Sequence, residues 1–261
     1  MKPINAGEPW ETVSIDISGP FPVSRDGYKY ILSAQCIFTK WVESFPLRRQ
    51  TATEVAKCLF FNLFTRLGFP ARLLSDQGKQ FESELFTELC RFANIKKLRT
   101  SPYRPATNGL IERWHRTLNS MLAKVVSSDQ RNWTDHLPGV LAAYRATVHE
   151  ATDFTPNYLM LLRQVRLPND LVWGCNPQQA SFETYEQFVA YHTATQIADF
   201  STVRDHLGKA AERRKSHYDA GLAPAEPIAV NDKVWYYYPR KYTGKCPKWQ
   251  CMFMGPYTIK R

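Results

Sequence analysis

A strict alternation of apolar and polar residues marks positions 12–18. Val13, Ile15 and Ile17 share one face, and Asp16 lies on the other face among small polar residues. A period of two residues is typical of a strand with one buried face. The sequence therefore predicts a strand that presents the Asp16 carboxyl group on its polar side.

Strand and helix patterns then follow one another along the chain. Two more strand patterns occupy 28–38 and 41–47, after which Thr51 and Glu54 form a capping box that opens an amphipathic helix ending at Gly68. The later elements are strands at 72–76 and 96–103 and helices at 83–95, 110–126 and 133–149. This order predicts an α/β fold with a mixed five-stranded sheet flanked by helices.

The charge of the chain suggests an anionic partner. It holds 34 Lys and Arg against 24 Asp and Glu, which gives a net charge of +10. Residues 201–261 hold 12 of those basic residues and 5 of the acidic ones, so most of the surplus lies there. Nucleic acid is the usual partner of such a protein, although an ordinary basic protein without that function is an open alternative.

Cysteine usage and hydropathy narrow the class of protein. Six cysteines are scattered without a disulfide-like pattern or a CxxC pair. No apolar run approaches the roughly 18 residues that suggest a membrane span. We therefore expect a protein from a reduced intracellular compartment, with no membrane partner and no zinc site.

Three acidic residues lie where predicted elements begin or end. Asp16 is on the first strand, Asp76 ends the fourth, and Glu112 lies near the start of a helix. Strand ends beside helix starts are where α/β sheets place their functional sites. Each residue also has an ordinary structural explanation: a turn cap for Asp16, an Asx-turn for Asp76 and a favourable helix dipole for Glu112.

If the three acids converge, their charges repel one another, and a divalent metal resolves the conflict. Mg²⁺ prefers hard oxygen ligands, and two such ions about 3.5–4 Å apart can assist phosphoryl transfer. Arg113 and Arg116 beside Glu112 suit a phosphate backbone. His115, three residues after Glu112, is predicted to be a surface or DNA-facing histidine and not a ligand.

Several stretches together carry a family resemblance. Residues about 10–165 resemble the catalytic core of retroviral-type integrases, in the version found in gypsy-type LTR retrotransposons. The 35 residues between Asp76 and Glu112 agree with the D, D-35-E signature of that family. The matching stretches are "PWETVSIDISGP", "YKYILSAQCIFTKWVESFPL", "LLSDQGKQFES", "SPYRPATNGLIERWHRTL", "WTDHLPGVLAAYRATVHEATDFTPNYLM" and "VRLPNDL".

The resemblance implies an RNase H-like catalytic core over residues 1–165. It also implies that Asp16, Asp76 and Glu112 are catalytic and hold two Mg²⁺ (or Mn²⁺) ions. In this family a water molecule trims the ends of the element's DNA, and the freed 3′-hydroxyl then attacks target DNA. The implied partners are DNA and further copies of the chain, without a small-molecule substrate, and the implied location of action is the nucleus.

The resemblance further implies a helical linker at 166–228 and the start of a small β-barrel at 229–261, with Trp235 in the barrel core. Gly78 would let the backbone turn close beside the metal ions. The residues expected to contact DNA are Lys79, Gln80, Tyr103, Arg104, Asn108, Gly109, Arg113, Arg116, Arg240, Lys241, Lys245 and Lys248.

The chain also departs from the family pattern. Where the family usually has Tyr-His-Pro-Gln in a loop, this chain has Tyr-Arg-Pro-Ala at 103–106, so the glutamine that would meet DNA is missing. The family's His/His/Cys/Cys zinc motif does not occur in the sequence. Two alternatives therefore stay open: a domesticated or decayed relative that binds nucleic acid without catalysis, and a different enzyme on the same fold.

Overall fold

The structure is a computed structural model that describes residues 7–99, 109–174, 182–220, 229–237 and 253–260. The chain divides into two compact units, Met1–Lys215 and Ser216–Arg261. No helix in these described ranges combines the length and the apolar character that a membrane span requires. The predicted domain boundaries at residues 165 and 228 stay predictions.

A mixed five-stranded sheet forms the centre of the first unit, as the sequence predicts. Its strands are β1 (Thr12–Ser18), β2 (Tyr30–Cys36), β3 (Val42–Leu47), β4 (Arg72–Ser75) and β5 (Lys96–Arg99). The spatial order is β3-β2-β1-β4-β5. The first three strands pair antiparallel, and β4 and β5 extend the sheet in parallel with β1.

Helices cover both faces of this sheet. They are α1 (Ala52–Cys58), α2 (Thr65–Leu67), α3 (Glu84–Phe92), α4 (Gly109–Leu122), α5 (Trp133–Ala146), α6 (Pro156–Leu161), α7 (Pro168–Trp173) and α8 (Tyr185–Ala220). A π-helical segment, Leu59–Phe64, joins α1 to α2, so the helix predicted after Thr51 is one continuous rod with a change of winding. Gly68 ends it with a φ of +82°, a conformation that glycine adopts at little cost.

Sequence predictions about helix ends need correction. The helices predicted at 83–95 and 133–149 end at Phe92 and Ala146. The capping box is only half formed: Thr51 accepts the Glu54 N–H, but the Glu54 carboxylate accepts the N–H groups of Arg48 and Arg49 instead. The helix predicted to reach residue 126 ends at Leu122, and beyond it the N–H groups of Lys124 and Val125 bond three residues back, which tightens the last turn.

The two sides of the sheet have separate hydrophobic layers. On one side, here called the apolar face, Val13 and Ile15 of β1 pack with residues of α1, α3 and α8. On the other side, here called the α4 face, Ile31 and Val42 pack with α4 and α5. The polar side of β1, including Asp16, therefore faces α4, as the alternation of its residues requires.

The second unit contains an antiparallel strand pair, β6 (Lys233–Tyr237) with β7 (Phe253–Thr258). Both strands lie within 229–261, where the resemblance implies the start of a small β-barrel. Trp235 is 61% exposed, so the prediction that it lies in a barrel core is wrong for the described residues.

Candidate active site

The three predicted acids come from three different elements of the α4 face and its margin. Asp16 lies in β1 opposite Ser33, and Asp76 directly follows β4, the parallel neighbour of β1. Glu112 is in the first turn of α4. Since α4 packs against β1 and β2, its first turn can bring Glu112 towards the strand that carries Asp16.

The charges of Asp76 and Glu112 both act on the carboxyl group of Asp16. The pKa of Asp16 is raised to about 6, chiefly by burial of its side chain. The Ile17 N–H, which donates to Oδ1 at 2.8 Å, opposes this rise, while the negative charges of Asp76 and Glu112 add to it. The structure therefore brings together acids that lie 60 and 36 positions apart in the sequence.

The three side chains are nevertheless not gathered as a finished metal site. Within the part of the chain that the structure describes, no group of three or more His, Cys, Asp or Glu side chains is arranged to hold a metal ion. Asp76 Oδ1 accepts the Gly78 N–H at 3.0 Å, which is the Asx-turn considered from sequence, and Glu112 is exposed. The donor set fits Mg²⁺ or Mn²⁺ chemically, and the side chains of Asp76 and Glu112 have to turn to bind one.

The loop after Asp76 is tightly fixed. A Cβ atom on Gly78 would lie 3.0 Å from Asp76 Oδ1 and closer still to the end of the Gln80 side chain, so a larger residue here requires the Gln80 side chain to move. Lys97 of β5 donates to the Phe81 carbonyl and, at 2.8 Å, to Glu82. These bonds hold the loop, and with it Asp76, against the edge of the sheet.

His115 is not the surface residue that the sequence predicts. Its side chain is only 12% exposed, and its Nδ1 lies 3.5 Å from Asp16 Oδ2. Burial lowers the pKa of His115 to about 4, so the ring is neutral at neutral pH, and its Nε2 is buried without a hydrogen-bond partner in the structure. The spacing of three residues from Glu112 was the available signal, because i and i+3 side chains share a helix face.

A buried polar network lies beneath α4 and was also missed from sequence. The Trp114 indole N–H donates to Ser33 Oγ at 3.2 Å and to Ser44 Oγ at 3.3 Å, and these two hydroxyls are 2.9 Å apart. The Trp114 ring meets Tyr144 edge-on with ring centroids 4.6 Å apart. The helical spacing predicts only that Trp114 lies on the buried side of α4. Its ring does lie there.

The predicted DNA contacts are only partly placed. Lys79, Arg113 and Arg116 are exposed, with Lys79 in the loop after Asp76 and both arginines on α4. Gln80 is half-buried beside Gly78, and Gly109 is the first residue of α4. The other predicted contacts lie outside the described residues: Tyr103, Arg104, Asn108, Arg240, Lys241, Lys245 and Lys248.

Comparison with known proteins bears on this site. Residues 7–105 match the family model described as Integrase core domain. The Retrovirus-related Pol polyprotein from transposon 412 of Drosophila melanogaster is 26% identical over 96% of this chain and 20% of its own length. Gypsy retrotransposon integrase-like protein 1 of Macaca fascicularis is 33% identical over 61% of this chain and 30% of its own length.

A solved structure shares the fold. A cryoEM structure of the simian T-cell lymphotropic virus intasome in complex with the PP2A regulatory subunit B56 gamma matches with a TM-score of 0.54 and 18% identity, covering 97% of this chain and 69% of that chain. The chain spans less than a third of the length of the two curated relatives named above. The matches confirm the resemblance predicted from sequence: residues 7–105 match the integrase core domain model, the chain is similar to proteins of gypsy-type retrotransposons, and its fold is the RNase H-like one of the intasome chain.

Proposed function

We propose that this chain is the catalytic part of an integrase that joins retroelement DNA ends to target DNA by metal-dependent phosphodiester transfer. The observation that carries the proposal is that Asp16 of β1 lies where burial and the charges of Asp76, at the end of β4, and of Glu112, in α4, raise its pKa. Carboxylates that raise the pKa of a buried neighbour form the kind of site in which divalent cations bind.

Asp16, Asp76 and Glu112 would hold two Mg²⁺ or Mn²⁺ ions, which would supply the positive charge that activates the attacking oxygen and stabilises the leaving one. One contact prepares the protein side of the site, since the Ile17 N–H fixes one oxygen of Asp16. Asp76 Oδ1 accepts the Gly78 N–H, and this side chain has to turn before it binds a cation. Glu112 is exposed and free to complete the set when a cation arrives.

DNA would approach this site along exposed cations. Lys79 follows Asp76 by three residues, and Arg113 and Arg116 flank Glu112 on α4. Their positive charges attract a phosphate backbone to the site. The negative charges of the acids repel that backbone until cations bind. We propose that these three residues contact DNA. We also propose that the chain assembles with further copies of itself and acts in the nucleus.

Two successive reactions form and break the same kinds of bond. In end trimming, a water oxygen bonds to a phosphorus atom of the element's DNA, and the bond from that phosphorus to a 3′ oxygen breaks. In joining, the freed 3′-hydroxyl oxygen bonds to a phosphorus atom of target DNA and displaces its 3′ oxygen, which leaves with a proton. Neither step needs a covalent enzyme intermediate, so no nucleophilic side chain is required.

A DNA-joining assay tests the proposal. The terminal sequence recognised is not known, so the substrate is a branched duplex that reproduces a joined product, because the reverse exchange uses the same site without end trimming. We expect a resealed product with Mn²⁺ or Mg²⁺, and its loss in Glu112→Gln and Asp76→Asn. Glu150→Gln, a change at an exposed glutamate that follows α5, is the matched control and should retain activity.

Folded protein that binds the branched DNA but yields no product with either metal would contradict the proposal. That result would favour a relative that keeps the fold and binds nucleic acid without catalysis.

A further inference from the structure

Trp114 is held in the α4 face by directional contacts. It is 2% exposed, and its indole N–H is shared between the hydroxyls of Ser33 in β2 and Ser44 in β3. Those two hydroxyls are hydrogen-bonded to each other at 2.9 Å, so the oxygens that accept from the indole are themselves held in place. The tryptophan therefore connects α4 to two strands through one hydrogen-bond donor.

The other buried residues of α4 cannot set its rotation as sharply. Ile111, Leu118 and Leu122 make hydrophobic contacts, whose energy depends on buried area and hardly on direction. A hydrogen bond weakens steeply below about 120° and is lost once donor and acceptor are about 3.6 Å apart, so the Trp114 bonds at 3.2 and 3.3 Å tolerate only a few tenths of an ångström of stretching. Among the described contacts between α4 and the sheet, the Trp114 N–H bond is therefore one that resists a small turn of the helix about its axis.

A small turn of α4 matters at Glu112, which lies two residues before Trp114. Side chains of an α-helix reach roughly 5–6 Å from its axis, so a turn of roughly 10° moves a side-chain end by roughly 1 Å. Displacements of that size are enough to weaken metal sites and to slow the reactions that depend on them.

We infer that Trp114 is a positioning residue for Glu112, acting through the rotation of α4 by its hydrogen bond to the Ser33–Ser44 hydroxyl pair. This inference rests on the proposed function, since it assumes that Glu112 is a metal ligand. Trp114 touches neither DNA nor cation; its effect on the site is exerted through the helix.

Mn²⁺ binding measured by calorimetry on the whole chain tests the inference without relying on activity. Trp114→Phe keeps an aromatic ring against Tyr144 but removes the N–H donor together with part of the buried ring system, a loss of volume that a second tryptophan variant controls for. We expect Mn²⁺ affinity to fall about 10-fold, at the lower end of the effect of residues that orient metal ligands. Trp133→Phe is the matched control: its indole donates to the Pro22 carbonyl at 2.9 Å in the same layer, but α5 carries none of the three acids.

Testing Trp114→Phe in two variant backgrounds shows which contacts carry its effect on the metal site. If Trp114 acts through the hydroxyls, Ser33→Ala with Ser44→Ala should weaken Mn²⁺ binding, and Trp114→Phe should add little in that background. If it acts through Glu112, Trp114→Phe should have no further effect on Mn²⁺ affinity in Glu112→Gln. Additive losses in either background would overturn the inference.

The same measurements separate this inference from the proposed function. Wild-type protein whose Mn²⁺ affinity does not depend on Glu112 would defeat both. Wild-type protein that binds Mn²⁺ through Glu112, with Trp114→Phe binding equally well, would defeat the inference alone. Circular dichroism on each variant shows whether it is folded, and a Trp114→Phe protein that fails to fold is replaced by the serine pair.

Discussion

The apolar face and the α4 face cover the same sheet with different kinds of contact. On the apolar face, Val13 and Ile15 meet aliphatic and aromatic side chains such as Phe38 and Phe86. On the α4 face, fully buried polar groups share the interior with apolar ones. They include Ser33 and Gln35 of β2 and Ser44 of β3.

This difference separates stability from placement. Hydrophobic contacts are strong in sum and tolerant of small shifts, so the apolar face suits holding the fold together. Hydrogen bonds and ion pairs add little net stability when formed, but they are costly to break and depend on geometry. The α4 face carries Asp16 and Glu112, and there the chain uses the contacts that fix position.

The largest expected effect lies on the apolar face. Phe38 is fully buried and meets Phe200 of α8 edge-on at 5.4 Å between ring centroids. Phe38→Ala should lower the free energy of unfolding by about 3–5 kcal/mol, because it removes buried area and leaves a cavity. Urea denaturation measures the loss. At a urea concentration where the variant is still folded, its Mn²⁺ affinity should equal that of the wild type, and a weaker affinity would blur the distinction between the two faces.

Lys40 is an exception within the apolar surroundings, and its effect depends on pH. It lies in the turn between β2 and β3, 1% exposed, with Nζ donating to the Ile37 carbonyl at 2.5 Å. Burial lowers its pKa to about 7; the Cys36 thiol opposes this, and the positive charges of Arg214 and Arg113 add to it.

The folded pKa of Lys40 lies below the unfolded value, so the unfolded state binds more protons between pH 7 and 10.5. The protein should therefore gain stability as pH rises through that window. Lys40→Met should stabilise the fold by about 2–4 kcal/mol at pH 6, and the difference from wild type should disappear near pH 10. Urea denaturation at pH 6, 8 and 10 measures this. A difference that does not change with pH would show that the lysine is not buried as described.

The sequence predicted the parts of this structure that depend on local pattern. The alternation around Asp16 gave the correct strand and the correct face, and the spacing of Ile111, Trp114 and Leu118 gave the buried side of α4. The contacts of His115 with Asp16 and of Trp114 with Ser33 could not be predicted. These partners are separated by 99 and 81 residues, and only the packing of α4 on the sheet brings them together.

On the α4 face, removing a charge from the site should stabilise the metal-free protein. The pKa of Asp16 is raised to about 6, so its contribution to stability is lost as pH rises through that value. Asp16→Asn should raise the free energy of unfolding by about 1–3 kcal/mol at pH 8 in the presence of a chelator, with little change at pH 4. The same variant should lose the stabilisation that Mn²⁺ gives the wild type. If Asp16→Asn and the wild type have equal unfolding curves at both pH values, then burial and neighbouring charges do not raise the pKa of Asp16 as described.

The smallest expected change in stability concerns His115. Its 3.5 Å separation from Asp16 is too long for a strong hydrogen bond, and its Nε2 is buried without a partner in the structure. His115→Leu should therefore change the free energy of unfolding by less than about 1 kcal/mol, because the lost contact is offset by relief of an unsatisfied polar atom.

Its effect on the site should be larger than its effect on the fold, since Asp16 would lose the neighbour that limits its rotation. We expect weaker Mn²⁺ binding in His115→Leu, measured beside thermal unfolding of the same samples. His136→Leu is the control, because His136 also lies on the α4 side but bonds to Asn132 and not to an acid of the site. If His115→Leu loses stability without losing Mn²⁺ affinity, then this histidine stabilises the fold and does not position Asp16. Trp114 would then be the buried residue of α4 that still links this face to metal binding.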